Sequence, residues 1–586
     1  MATLTLGHIL SKESRTKPVA VTTGQDEYST ALQLHTALGT KNLTPFAHIV
    51  GSQHTPNLCP FQLDEGRLGW VILATADYVE SDICSACRGE LARRGANDVR
   101  VLTVTPTLLL NVSEGGISGL DVNAIPEKEM TAYRASFQEL VEWALINKAS
   151  DIHLNVSTKA TQSQIQFTIG GKYVAPPRWK MPTARLSALL SVVWQWGNSG
   201  KGAVFSKASA QQCQLELVCF GRPVTARWAS ITAMQGPAVT LRILDSSQSV
   251  TQMSLEQMGY LPSQIAMLER AMRAAGGATV IAGEMGSGKS TLFGKLLELL
   301  GRFRKVMAVE EPVEYLIPNV LQISISNSLT EDDSKEYTAA RRTIRRSAPN
   351  DVGLGEIRDL QTGDAMQDLA NSGTSLYTTI HAQSAWQTPE RLYSKSIGVP
   401  SSLLASPGLL KLLVYQALVP RLCPDCAIPL SSLAETGGVD ETGKHRDAQH
   451  WQAYIERIIR IYEGIDTRTI NVRCQEGCAS CQNKEIPDLN GYNGREVIAE
   501  MIEPSLDHQV LRCIMNQDTI GLQEHLESLP RTAINDADMT NKTILECAMY
   551  KALQGKVDPR DIEARTSSFE VVERLQQAVK ARRGKP

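Results

Sequence analysis

Ala278-Thr-Val-Ile-Ala-Gly-Glu-Met-Gly-Ser-Gly-Lys-Ser290 is the stretch that decides the fold. Its first five residues read as a short apolar strand, and the last eight match G-x-x-x-x-G-K-[ST]. Leu292, Phe293, Leu296, Leu297 and Leu300 then recur at helical spacing. Strand, glycine loop and helix in that order make a phosphate-binding loop, because backbone N–H groups and the positive helix end face an anion. The expected nucleotide-binding residues are Gly283, Glu284, Met285, Gly286, Ser287, Gly288, Lys289, Ser290 and Thr291. Lys289 would reach the β- and γ-phosphates of ATP, and the Ser290 hydroxyl would hold Mg2+.

Outward from this loop, β-rich runs alternate with helical stretches from Ser254 to about Pro420, the pattern of a doubly wound α/β domain. Two acidic clusters fall at expected strand ends: Glu310-Glu311-Pro312-Val313-Glu314 after Val306–Val309, and Gly355-Glu356-Ile357-Arg358-Asp359. Carboxylates at the carboxyl ends of such strands border the phosphates and can hold Mg2+ or orient a water. Leu376–Ile380 ends in His381, a polar group at another strand end. Solvated acidic loops and a structural histidine are the plainer readings of these residues.

On the N-terminal side, a helical pattern over Glu127–Lys148 is followed by alternating segments at Ile152–Val156, Gln164–Ile169, Gln214–Cys219, Val224–Ile231 and Ala238–Leu244. A helix is expected over Thr183–Trp196, which makes 126–245 a small α+β domain. Asp245–Met253, rich in Ser and Gln, reads as a linker to the α/β domain placed at 246–420. Residues 1–125 carry only short apolar runs and Cys84-Ser-Ala-Cys87, a zinc half-site that would need Cys59 and His54, or else ordinary thiols. Beyond Arg421 come two further Cys-x-x-Cys pairs, Cys423/Cys426 and Cys478/Cys481, suited to tetrahedral Zn2+ with four thiolates. Cys474 reads as a bystander or a substitute ligand. The insert is placed at 421–500 and a helical tail at 501–586.

Composition narrows the function. Fifty-nine basic residues against 62 acidic ones leave a net charge of −3, which argues against a dedicated nucleic-acid binder. No apolar run approaches the roughly 18 residues that span a bilayer, and no secretory leader is visible, so the expected location is cytoplasmic. There the paired cysteines point to metal before disulfide.

These blocks, in this order, resemble the secretion ATPase superfamily, which drives type II secretion, type IV pilus extension and retraction, and related conjugative systems. The phosphate loop, Val309-Glu-Glu-Pro-Val-Glu-Tyr315, Gly355-Glu-Ile-Arg-Asp359 and Thr379-Ile-His-Ala382 resemble its nucleotide motifs. Ala149-Ser-Asp-Ile-His153, Arg227 and Arg242 resemble the domain before the motor. The resemblance covers roughly residues 130–500. It implies a RecA-like motor behind a PAS-like domain, with Glu314 as general base, Glu356 as the Mg2+/water carboxylate and His381 as a phosphate-side sensor. It further implies Arg227 and Arg242 as arginine fingers acting across the linker. Gly494-Arg495-Glu496 resembles the segment that closes the tetracysteine insert of extension-type motors, an insert that retraction motors lack. The implied assembly is a homohexamer on an inner-membrane platform protein, with a cytoplasmic docking protein bound by the N-terminal region. A retraction or type IVB secretion/conjugation motor is the alternative. Glu311 stands where the family has aspartate, Asp351-Val-Gly-Leu354 makes a weak strand, and Gln164–Gly171 and Pro237 also depart from the pattern. These departures suit a divergent thin-pilus or conjugative subfamily.

Overall fold

The computed structural model describes residues 27–583 apart from 29–30, 39–42, 52–53, 64–68, 97–98, 114–126, 197–204, 208, 245–252, 312, 326–342, 345 and 441. The expected linker therefore lies outside the described residues except for Met253, as does Pro312 of the acidic cluster.

Strands β1 (Leu43–Pro45), β2 (Leu58–Leu63), β3 (Gly69–Ala74) and β4 (Val99–Thr103) form a sheet in that order, with β3 and β4 parallel. The helix Asp82–Arg93 buries Cys84 and Cys87 in one apolar cluster of this region. Burial pushes the Cys87 and Cys59 thiols up to about 12, so neither is a ready thiolate. Among the described residues they join no group of metal-ligating side chains.

A second sheet comprises β5 (Ala149–Asn155), β6 (Gln162–Ile169), β7 (Lys172–Val174), β8 (Lys180–Pro182), β9 (Gln211–Cys219), β10 (Arg222–Ala233) and β11 (Gly236–Leu244). Its order is β7-β6-β5-β11-β10-β9, with β8 paired to β6. The helices Glu127–Ile146 and Thr183–Trp196 contribute Phe137, Trp143, Leu186 and Leu190 to the core on this sheet. Strict alternation puts Leu215, Leu217, Ala226, Trp228, Val239 and Leu241 inward. β7 and β8, three residues each, were too short to show a period in the sequence.

The third sheet begins with β12 (Ala278–Ala282), β13 (Val306–Glu310), β14 (Val320–Ser324), β15 (Asp351–Leu354), β16 (Ser375–Ile380) and β17 (Leu410–Leu422). The chain then makes two small ladders, β18 (Ile428–Pro429) with β21 (Asn471–Val472) and β19 (Gly438–Val439) with β20 (His445–Arg446). It returns as β22 (Tyr492–Ile502), antiparallel to β17 at the sheet edge. The order β14-β13-β15-β16-β12-β17-β22 places the phosphate-loop strand between β16 and β17. Tyr492–Ile502, within the stretch assigned to the insert, is thus a strand of this sheet. The tail that follows packs helices from His508–Met515 to Phe569–Arg583. Among the described residues no helix is long and apolar enough to cross a membrane.

The weak pattern at Asp351-Val-Gly-Leu354 is nevertheless a fully buried strand, for two physical reasons. A side chain at Gly353 would begin 2.7 Å from both Phe293 and Leu297, so these residues of the phosphate-loop helix fill the place of the missing one. Asp351, with no exposed surface, is answered by Arg304 Nε at 2.8 Å. Burial still pushes its carboxyl up to about 6, the Arg304 and Lys411 cations working against that.

Candidate functional site

The phosphate loop takes its shape from three glycines with positive φ, at 154° (Gly283), 77° (Gly286) and 85° (Gly288). A Cβ at Gly283 would meet the Gln416 carbonyl oxygen at 2.5 Å, so β17 presses on the loop from behind. Gln416, 1% exposed, donates from Nε2 to the Ser287 carbonyl at 2.8 Å and accepts from the buried Tyr260 hydroxyl. This bracing pair carried no local pattern that could have revealed it.

Lys289 opens the helix Lys289–Gly301 and turns back over the loop. Its Nζ donates to Gly283 O at 2.7 Å and Glu284 O at 2.8 Å. Burial pushes the amine down to about 8, against the pull of the Glu356 and Glu314 carboxylates. Those neighbours arrive from separate strands. Gly355 N donates to Val309 O at 2.8 Å and Thr379 Oγ1 to Gly355 O at 2.6 Å, which ties the ends of β13, β15 and β16 together. His381 Nε2 then lies 3.3 Å from Glu356 Oε1, and its Nδ1 lies 3.2 Å from Gly283 O.

In the first acidic cluster the carboxylates separate. Glu310 is buried, accepts from Gln322 Nε2 at 2.8 Å, and has its carboxyl pushed up to about 7 by burial. Glu311 is held by Arg358. Glu314 stays beside Arg227 and the cleft.

Arg227 and Arg242 are direct partners across the β10–β11 ladder. Both leave their own sheet toward the phosphate-loop sheet of the same chain. Arg227 Nη2 donates to Glu311 O at 3.4 Å, and Arg242 Nη2 reaches the sulfur of Met285, inside the phosphate loop, at 3.2 Å. Asp151 on the adjoining strand holds Arg242 Nε at 3.1 Å. Burial lowers the pKa of Arg227, and the Glu314 carboxylate works against it.

One cleft of about 710 Å³ is lined by Arg227, Arg242, Lys289, Glu314, Glu356 and His381 together with Ser290 and Thr291. Arg358, Arg495 and Arg565 also line it. Arg358 and Arg495 sat inside motifs recognised in the sequence without a role; Arg565, from the helical tail, carried no signal at all.

Fifty-odd residues of insert bring the four expected cysteines into one cluster. Cys423, Cys426, Cys478 and Cys481 present sulfurs all within 4.8 Å of one another. The pairs Cys423–Cys478, Cys426–Cys481 and Cys478–Cys481 stand at 3.8, 3.5 and 3.8 Å. A tetrahedral Zn2+ with bonds near 2.3 Å has S···S edges of about 3.8 Å, so the donor set fits the metal. Cys481 also accepts from the Cys478 and Gly491 amides at 3.3 Å each. Cys474 is outside the cluster.

A family model described as type II/IV secretion system protein matches residues 127–548. The chain belongs to this family. Among curated relatives, the type II secretion system protein HxcR of Pseudomonas aeruginosa is 30% identical over 318 residues, 52% of this chain and 64% of the relative. The type II secretion system ATPase E of Vibrio cholerae is 28% identical over 365 residues, 61% of this chain and 63% of the relative. The type IV pilus assembly ATPase PilB of Thermus thermophilus is 25% identical over 441 residues, 75% of this chain and 44% of the relative. The chain thus spans less than two thirds of the length of these family members. The match to the family model begins at the helix Glu127–Ile146 and runs through the arginine-bearing sheet, the phosphate-loop sheet and the cysteine cluster.

Proposed function

We propose that this family member hydrolyses ATP to ADP and phosphate and works as a homohexameric motor for type IV pilus assembly or type II-like secretion. The observation that carries the reading is the convergence of Lys289, Glu314, Glu356, His381 and two arginines from another sheet on one cleft. The motor sheet is read as RecA-like and the preceding sheet as PAS-like. The loop amides and Lys289 bind the phosphates. Ser290 and Glu356 would hold Mg2+, which supplies charge neutralisation between the phosphates when bound. Glu314 accepts the proton of the attacking water, His381 reports the phosphate side to Glu356 and the loop, and Arg227 and Arg242 meet the charge that develops on the transferring group. Closure of the arginine-bearing sheet on the motor sheet then becomes force on an inner-membrane platform protein, with residues 1–125 bound to a cytoplasmic docking protein and the ring on the cytoplasmic side. The presence of the cysteine insert favours this over a retraction motor.

Steady-state phosphate release tests the chemistry. Glu314→Gln and Glu356→Gln are each expected to keep ATP binding and lower turnover by about 10²–10⁴-fold. Full activity in Glu314→Gln would remove the general-base assignment and leave the work to Glu356.

Metal analysis tests the cysteine centre separately. The purified chain is expected to carry about one Zn2+, the stoichiometry of a closed four-thiolate site. Cys423→Ser with Cys426→Ser should lose it and unfold the insert at a lower temperature, since metal-binding energy at such a site is folding energy. A content near zero, or near two, would contradict a single site.

A further inference from the structure

The segment between the second cysteine pair and β22 does more than close the insert. Ile486, 2% exposed, belongs to the same apolar cluster as Phe137, Trp143, Phe167 and Trp179, which is the core of the arginine-bearing sheet. Leu489 packs against that cluster and lies 3.8 Å from where a side chain at Gly170 would begin. Glu485 accepts from Trp143 Nε1 at 2.7 Å and from Arg178 Nη1 at 3.2 Å. Asn483 donates to Asn147 Oδ1 at 3.2 Å.

The same segment is anchored at its other side to the cysteine cluster. The Gly491 amide donates to Cys481 Sγ at 3.3 Å, and the Cys423 amide donates to Gly491 O at 2.8 Å. Buried Asn490 accepts from the Asn483 amide at 2.7 Å and donates to Glu476 O at 3.2 Å. Only glycine serves at 491, where φ is 81° and a Cβ would lie 2.2 Å from Cys474 O. One short loop is therefore bonded both to the cysteine cluster and to Trp143, Asn147 and Arg178, each more than 300 residues away in sequence.

We propose that residues 483–491 are a clasp, with Glu485, Ile486 and Leu489 as positioning residues that hold Arg227 and Arg242 over the phosphate loop. The reasoning is mechanical and rests on the ATPase reading. β6, whose Phe167 shares the cluster with Ile486, pairs with β5, and β5 pairs with β11, where Asp151 lies opposite Arg242. A displacement of that core carries both arginines with it, because packed interiors transmit shifts instead of absorbing them. The cysteine module would then have a second task, fixing the closed arrangement of the two sheets.

The test uses the full chain with Ile486→Asp, Ile486→Val and Glu485→Lys, read by ATP kinetics, metal content and small-angle scattering. Ile486→Asp puts a carboxylate into an apolar core, and Glu485→Lys sets a cation beside Arg178 and removes the acceptor of Trp143 Nε1 without changing an apolar side chain. Both are expected to lower kcat by at least about tenfold with KM for ATP within about threefold, the signature of a lost transition-state contact. Metal content should stay at the wild-type value, the radius of gyration should rise, and Ile486→Val should behave as wild type. Unchanged kcat and size in both disruptive variants would overturn the clasp, as would loss of metal alongside activity. A wild-type chain without turnover would sink the ATPase reading alone, and the scattering result would still decide the clasp.

Discussion

Replacing Lys289 by alanine is expected to take ATP turnover below detection while leaving the fold intact. The lysine stands at the first turn of its helix, 2.7 and 2.8 Å from the carbonyls of Gly283 and Glu284, with its charge drawn toward Glu356 and Glu314. A phosphate entering the loop would find its ammonium at the centre of the cradle. Two other cations of the cleft already carry ion pairs: Arg242 with Asp151, and Arg358 with Glu311 and Asp359. A loss of about 10³-fold or more, roughly 4 kcal/mol of barrier at 1.36 kcal/mol per decade, is the expected scale. Alanine also removes a buried amine, so the melting temperature without nucleotide should change little or rise. Wild-type-like turnover in the purified variant would remove the motor assignment.

Arg242→Ala, and with it Arg227→Ala, are expected to lose most turnover while keeping ATP affinity within a few-fold. Arginine fingers in phosphate-loop enzymes contribute about 10³–10⁵ in rate, or roughly 4–7 kcal/mol. The two guanidiniums are register partners on one ladder and face the phosphate loop from a separate sheet, so as fingers they would act only when the sheets are closed. The contacts are within one chain: Arg242 on Met285 and Arg227 on Glu311. Rings mixed from Lys289→Ala and Arg242→Ala subunits should therefore show no recovery of activity. Substantial recovery would mean that the arginines serve a neighbouring subunit's nucleotide.

The match between sequence and structure followed the range of the interaction. The helix expected at Thr183–Trp196 occupies those residues, and Val224–Ile231 and Ala238–Leu244 lie inside β10 and β11, because side-chain periodicity is a local property of the chain. Asp351-Val-Gly-Leu354 failed as a local pattern and succeeded as a strand. Its missing volume comes from Phe293 and its counter-charge from Arg304, neither of which is its neighbour in sequence. Glu310, Glu311 and Glu314 read alike along the chain; burial of the first, pairing of the second with Arg358 and the placement of the third at Arg227 set them apart.

By itself, then, the sequence determined the phosphate loop, the two cysteine pairs and the strand alternation that carries Arg227 and Arg242, since each depends on residue types at short fixed spacings. Only the tertiary structure decided that those arginines lie over Met285 and Glu311, that Gln416 and Tyr260 brace the loop from behind, and that Ile486 sits in another sheet's core. Such contacts join segments tens to hundreds of residues apart. They arise when buried apolar surface and unpaired hydrogen-bond donors find partners in the packed chain, and no local spacing encodes that partner.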